Sequence, residues 1–221
     1  MPNEQRAADP NAAIPPTLSH VIGQRRVIQK LSIAVEAAWA DSVPLDHVLL
    51  TGPPGTGKTL LANVLAQEMA GEFKEVMGQG LCSRQTVNGF FMSAESDNAV
   101  LFIDEAHEAP PAAQTAIYKI IDERAVFLRE PFTDAVTKLA LPPLTLVIAT
   151  TDVQRLLPPL RDRMRLVCQL SRYSADDLIA LLVRRTWAVL LFLPVILLAF
   201  QPALGRTLIT TNYPALGYLL V

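Results

Sequence analysis

Residues 52–59 read Gly52-Pro53-Pro54-Gly55-Thr56-Gly57-Lys58-Thr59, a fit to the pattern G-x-x-x-x-G-K-[ST]. The flanks that this pattern demands are present. His47-Val48-Leu49-Leu50-Thr51 precedes it as a short buried-strand pattern, and Leu60-Leu61-Ala62-Asn63-Val64-Leu65-Ala66 follows as a good helix start. Glycines at these places let backbone N–H groups turn inward on a triphosphate at the positive end of the following helix. Lys58 is then expected at the β- and γ-phosphates, and the Thr59 hydroxyl on a magnesium ion. A glycine-rich turn matching by chance lacks a reason to sit between a strand and a helix. The stretch therefore implies a strand–loop–helix unit that binds a nucleoside triphosphate.

Downstream, residues 99–107 read Ala-Val-Leu-Phe-Ile-Asp-Glu-Ala-His. A continuous apolar run ending in adjacent carboxylates suits a central parallel strand, buried on both faces and opening at its carboxyl end onto a ligand crevice. Asp104 is expected to hold Mg²⁺ through water, and Glu105 to polarise a water that attacks the γ-phosphate. Alone, an Asp-Glu pair reads as a solvated strand end. Behind five apolar residues and downstream of a phosphate loop, it reads as the second half of a nucleotide site.

A further β-rich run, Leu144-Thr145-Leu146-Val147-Ile148-Ala149-Thr150-Thr151, ends in hydroxyls that could bond the attacking water between two central strands. Leu160-Arg161-Asp162-Arg163 follows. An arginine at the end of an intervening helix suits a reach to the γ-phosphate of a neighbouring subunit. Singly, Thr151 is a strand-end hydroxyl and Arg163 a surface charge. In this order, after the two preceding motifs, they form a set.

Length and charge narrow the classes further. The chain of 221 residues has room for one nucleotide-binding domain and a small further element. A net charge of −2 leaves no global basic footprint for nucleic acid. Cys82 and Cys168 form no CxxC, and His20, His47 and His107 have no ligand spacing, so neither a disulfide framework nor a zinc site is suggested. The N-terminus lacks a basic-then-apolar signal pattern, which points to a cytoplasmic protein. Residues 1–17, with four prolines among Asn, Ala and charges, read as a flexible tail.

Taken together, these motifs resemble the AAA+ ATPases, and within them the RuvB-type motors that drive Holliday-junction branch migration. The resemblance covers roughly residues 17–185. It starts at Val21-Ile22-Gly23-Gln24, which matches the family segment beside the adenine and so adds Ile22 to the expected nucleotide contacts. Ala34-Val35-Glu36-Ala37-Ala38 and Pro44-Leu45-Asp46-His47-Val48-Leu49-Leu50 extend it, and Pro159-Leu160-Arg161-Asp162-Arg163 completes it. By this similarity Thr151 is the sensor-1 residue and Arg163, rather than Arg161, the trans-acting arginine finger. The Leu-Asp-His-Val-Leu-Leu lead-in and the Arg-Asp-Arg triplet are the subfamily-specific parts; clamp-loader subunits share much of the rest. Glu123–Leu128 and Val136–Leu139 read as two strand arms around a polar turn. In RuvB-type proteins a hairpin at this position contacts the junction-binding partner RuvA. The resemblance implies ATP and Mg²⁺ as ligands, a four-way DNA junction met through a RuvA-type partner, and a homo-oligomeric ring, a hexamer where a lid is present.

The chain departs from that pattern after Arg184-Arg185. The family continues into a helical lid with a second sensor arginine, then a winged helix. Here Thr186 to Val221 carries Arg206 as its one charge, and neither pattern can be found. Residues 186–205 are long enough to span a bilayer as a helix, with the arginine pair favouring a cytoplasmic N-side. The rival expectation is a replaced tail, from truncation or a frame shift, and the mid-helix onset favours it.

The expected fold is α/β: a three-layer P-loop NTPase of the AAA+ kind with a five-stranded parallel sheet in the order 5-1-4-3-2. Strands are expected near 47–51, 73–77, 99–103, 144–150 and 165–170. Helices are expected near 24–40, 58–70, 112–123, 153–161 and 174–186. The expected domains are the tail 1–17, an ATPase core 18–185 and an apolar segment 186–221. Besides a DNA motor subunit, the residues leave open a nucleotide-switched binding module with little turnover and a membrane-tethered ATPase.

Overall fold

A computed structural model describes residues 15–129 and 136–184. Five strands form one parallel sheet: β1 (Val48–Thr51), β2 (Phe73–Met77), β3 (Ala99–Asp104), β6 (Leu144–Thr150) and β7 (Leu166–Gln169), in the order β2-β3-β6-β1-β7. Read from the other edge this is the expected 5-1-4-3-2. The phosphate-loop strand β1 lies between β6 and β7, with Leu50 opposite Ala149 on one side and Cys168 on the other. β3 pairs with β6 from Ala99↔Leu144 to Ile103↔Ile148. The carboxyl ends of β1, β3 and β6 therefore lie side by side.

Strand periodicity decides how the sheet is covered. Val48, Leu50, Val100, Phe102, Val147 and Ala149 point to one face, where they meet Val27, Leu31, Val35 and Ala38 of α1 (Arg25–Asp41) and Leu61 and Leu65 of α2 (Lys58–Glu68). Their alternates Leu49, Leu101, Ile103, Leu146 and Ile148 point to the other face, against α3 (Arg84–Met92) and α4 (Pro111–Glu123). Both faces being covered, the strands carry continuous apolar runs rather than alternation. Each fully buried Leu, Ile or Phe stabilises the core by about 1.5–3 kcal/mol. Phe102 of β3 also stacks on Phe73 of β2, with ring centroids 6.0 Å apart.

Two polar contacts, one buried and one half-buried, hold the lead-in to β1. The Thr145 hydroxyl donates to the Leu45 carbonyl at 2.8 Å, and His47 Nδ1 accepts the Leu146 N–H at 3.0 Å. A separate antiparallel hairpin joins β4 (Ala125–Arg129) to β5 (Val136–Ala140), from Ala125↔Ala140 to Arg129↔Val136. Its two arms match the sequence expectation; the turn between them lies outside the described residues.

Two expectations need correction. The helix expected over 153–161 is broken: a 3-10 turn covers Val153–Arg155, and a short helix α5 covers Pro158–Arg161. Pro158 and Pro159 lack the N–H groups that a continuous helix would need from them, and both sit at the start of α5 where no such donor is required. Helix α3 was not expected at all. The chain divides into two compact units, Met1–Ser174 and Ala175–Val221, and in the second residues 175–184 are helical. Among the described residues no helix is long and apolar enough to cross a membrane. The candidate span 186–205 lies outside them.

Candidate nucleotide-binding site

The loop of residues 52–57 turns because three of its residues are glycines with left-handed φ: Gly52 at 147°, Gly55 at 74° and Gly57 at 91°. At Gly52 space adds to conformation, since a Cβ would sit 2.5 Å from the Leu170 carbonyl oxygen. The loop ends in the first turn of α2, whose unpaired N–H groups and dipole face whatever lies within the loop's curve. Pro53 and Pro54 add no N–H; the Thr56 hydroxyl closes the loop by donating to the Pro53 carbonyl at 2.9 Å.

Lys58 is 6% exposed, and its ammonium donates to the Gly52 carbonyl at 3.1 Å and the Pro53 carbonyl at 3.2 Å. These are neutral acceptors, weaker partners for a cation than an anionic oxygen. Lys58 Nζ also stands 4.0 Å from Glu105 Oε1. Thr59, the next residue, donates from its hydroxyl to Asp104 Oδ2 at 3.4 Å, so the loop and the end of β3 share one small oxygen-lined space.

Glu105 follows β3 with φ 45° and ψ 50°, a left-handed conformation that costs a residue with a Cβ about 1 kcal/mol or more. It turns the side chain toward the end of β6. There Glu105 Oε2 accepts the Thr151 N–H at 3.0 Å and the Thr151 hydroxyl at 2.9 Å. Thr151 thus engages the carboxylate directly, where the sequence suggested a bond to the attacking water. His107 Nδ1 lies 3.2 Å from the same Oε2. Sequence reasoning passed over His107, having looked only for metal-ligand spacing among histidines.

Ile22 is half-buried in the segment Val21–Gln24, which reaches the loop through Gln24. Its neighbour Gln24 fixes this segment: the side-chain amide donates to the Ser171 carbonyl at 2.6 Å and to the Thr56 carbonyl at 3.4 Å, and accepts the Ser171 N–H at 3.1 Å. Three chain segments around the loop are joined by one carboxamide, a tie that spacing cannot reveal.

Arg163 is elsewhere. Its Nε donates to Asp122 Oδ1 at 2.8 Å, its Nη2 to Asp122 Oδ2, and its Nη1 to the Pro159 carbonyl at 2.8 Å. The guanidinium also lies over the Tyr118 ring, 5.0 Å from its centroid. The paired guanidinium lowers the Asp122 carboxyl below its ordinary range. Arg163 borders a cavity of about 510 Å³ lined by Asp46, His47 and Leu144, residues at the amino ends of β1 and β6. Arg163 thus lies by the amino ends of β1 and β6, whereas the loop follows the carboxyl end of β1.

Residues 14–170 match the Holliday junction DNA helicase RuvB P-loop domain. The chain belongs to the RuvB family. Among solved structures, the RuvB Holliday junction branch migration motor of Thermotoga maritima is 35% identical, with a TM-score of 0.66 over 77% of this chain and 52% of that one. An alanine-to-serine mutant of Thermotoga maritima RuvB gives 34% identity and a TM-score of 0.67 over 77% and 53%. A proline-to-glycine mutant gives 35% and 0.66 over 75% and 52%. The chain spans about half the length of these RuvB structures. Its fold is accordingly the AAA+ P-loop fold of RuvB, an ATPase architecture in which loop and carboxylates face each other across the ends of β1 and β3.

Proposed function

We propose that this chain binds ATP with Mg²⁺ in the loop of residues 52–59 and hydrolyses it as the motor subunit of a RuvB-type assembly. The observation that supports this best is the convergence of Lys58, Thr59, Asp104, Glu105 and Thr151 at the carboxyl ends of three adjacent strands. The backbone of Gly52, Pro53, Pro54, Gly55, Thr56 and Gly57 wraps the phosphates, and Ile22 borders the base. Lys58 exchanges its two carbonyl acceptors for phosphate oxygens, a stronger, charge-assisted pairing. Thr59 and Asp104 suit Mg²⁺: the Thr59 hydroxyl would hold the ion and the neighbouring Asp104 carboxylate would hold it through water. When bound, the ion supplies charge neutralisation at the phosphates.

Glu105 orients a water for in-line attack on the γ-phosphorus. The new bond forms to the water oxygen, the bond to the β–γ bridging oxygen breaks, and the water's proton passes through the carboxylate to leave ADP and inorganic phosphate. Arg163 cannot serve its own site from the far end of the sheet, so it completes the site of a neighbour in a ring. The β4–β5 hairpin is the surface offered to a RuvA-type partner, through which a four-way DNA junction is engaged in the cytoplasm. Branch migration, the hexameric ring and the partner all belong to this proposal.

The decisive test is equilibrium binding of a fluorescent ATP analogue with Mg²⁺. Wild type is expected to bind, and Lys58→Ala to lose binding while keeping its thermal transition. Equal affinity in the two proteins overturns the assignment of the loop.

A further inference from the structure

Glu105 Oε2 lies among three donor groups drawn from two elements. Two belong to Thr151, its N–H at 3.0 Å and its hydroxyl at 2.9 Å. The third is the imidazole of His107, whose Nδ1 is 3.2 Å away. The same Nδ1 is 2.9 Å from the Thr150 hydroxyl. That hydroxyl donates its hydrogen to the Asp152 carbonyl at 3.1 Å, and its oxygen accepts the Asp152 N–H at 3.1 Å. With the hydroxyl hydrogen engaged there, the contact between Nδ1 and Thr150 needs a hydrogen on Nδ1. A carboxylate oxygen can only accept, so the tautomer that suits both neighbours carries its hydrogen on Nδ1, which faces Thr150 Oγ1 at 2.9 Å and Glu105 Oε2 at 3.2 Å.

The arrangement treats the two carboxylate oxygens differently. Oε2 is tied to the end of β6 through Thr151 and His107, while Oε1 faces Lys58 at 4.0 Å. His107 belongs to the 3-10 turn Ala106–Glu108 directly after Glu105, and its side chain is 9% exposed, enclosed enough to hold one rotamer. We infer that His107 is a positioning residue for hydrolysis: it anchors Oε2 to the Thr150–Thr151 strand end so that Oε1 is presented to the attacking water. This rests on the reading of Glu105 as the water-activating carboxylate. A histidine serving stability alone would leave the rate of hydrolysis of bound ATP unchanged wherever the chain still folds and binds; this role would not.

The test uses the full chain and measures single-turnover hydrolysis of bound ATP separately from ATP affinity. His107→Ala and His107→Gln are expected to hydrolyse about 10- to 100-fold more slowly with unchanged affinity, the cost of misplacing a reacting group by about 1 Å. His107→Asn is expected to restore much of the rate, because its amide nitrogen can occupy the place of Nδ1, whereas that of glutamine lies nearer the place of Nε2. A wild-type rate in His107→Ala, or equal impairment by Asn and Gln, overturns the inference. Glu105→Gln separates the two layers: if it too hydrolyses at the wild-type rate, the reading of Glu105 fails. If it is inert while His107→Ala is not impaired, only the role of His107 fails. Should wild type show no hydrolysis, nitrogen-15 spectra of the histidines decide the inference. A His107 signal protonated at Nδ1 that moves on Glu105→Ala supports it, and a signal protonated at Nε2 overturns it.

Discussion

His47 is a half-buried base whose neutrality the fold requires. Its Nδ1 accepts the Leu146 N–H, which a protonated ring could not do. Burial lowers its pKa from 6.5 to about 4; Asp46 opposes this, and Arg124 and Arg165 add to it. The unfolded chain therefore binds the proton more readily than the native one between those values. The contribution to stability is whole above pH 6.5 and is lost as pH falls toward about 4, amounting to about 3 kcal/mol at roughly 1.4 kcal/mol per pH unit. His47→Asn offers an acceptor near the place of Nδ1 without titrating. Urea midpoints between pH 7 and 4.5 are expected to fall less steeply in that variant; equal slopes would contradict the account. Residues such as Lys58, Thr59, Asp104 and Glu105 were legible because their chemistry is encoded in contiguous spacing. His107 and Gln114 were not, because each ties a nearby group to one 43 residues away, Thr150 for His107 and Leu157 for Gln114. Gln114 is 2% exposed and joins the Ala109 carbonyl to the Leu157 N–H, fixing the turn ahead of α5.

At the scale of elements, helix α3 shows how local signals hide. Its sequence Arg-Gln-Thr-Val-Asn-Gly-Phe-Phe-Met is short, contains Gly89, and carries two β-branched residues, all of which weaken helix propensity. What starts it is a reciprocal cap. Ser83 Oγ accepts the Thr86 N–H at 3.2 Å, and Thr86 Oγ1 accepts the Ser83 N–H at 3.0 Å, with threonine where Glu or Gln is the usual signature. The helix then buries Val87 and Phe91 and holds the hairpin through Asn88 Nδ2, which donates to the Phe127 carbonyl at 2.9 Å. Ser83→Ala is expected to lower stability by about 1 kcal/mol in urea unfolding. An unchanged midpoint would show that packing alone sets the helix. The central strands were legible for the opposite reason: burial on both faces leaves long apolar runs that few other contexts produce.

On the scale of the whole molecule, the sheet separates the phosphate loop and its carboxylates from Arg163. Lys58 and Glu105 stand at the carboxyl ends of the strands; Arg163 stands with Asp122 beside the amino ends of β1 and β6. An arginine can stabilise a phosphoryl-transfer transition state only within hydrogen-bond reach, and such a contribution runs to about 10³-fold or more. If Arg163 acts, it acts between copies, with Asp122 and the Tyr118 ring keeping the guanidinium ordered on the outer surface until a neighbour's phosphate competes for it. Two inactive variants should therefore complement each other. Lys58→Ala keeps a finger but has no working loop, and Arg163→Ala keeps the loop but offers no finger. Each alone is expected to hydrolyse ATP slowly, whereas their mixture should exceed the sum of the two, rising with total protein concentration as copies meet. Asp122→Asn in the finger-donating variant should change that gain without touching ATP affinity, since Asp122 contacts the arginine and not the loop. A mixture no faster than its components, at concentrations where light scattering shows assembly, would place the function of Arg163 outside the neighbouring site.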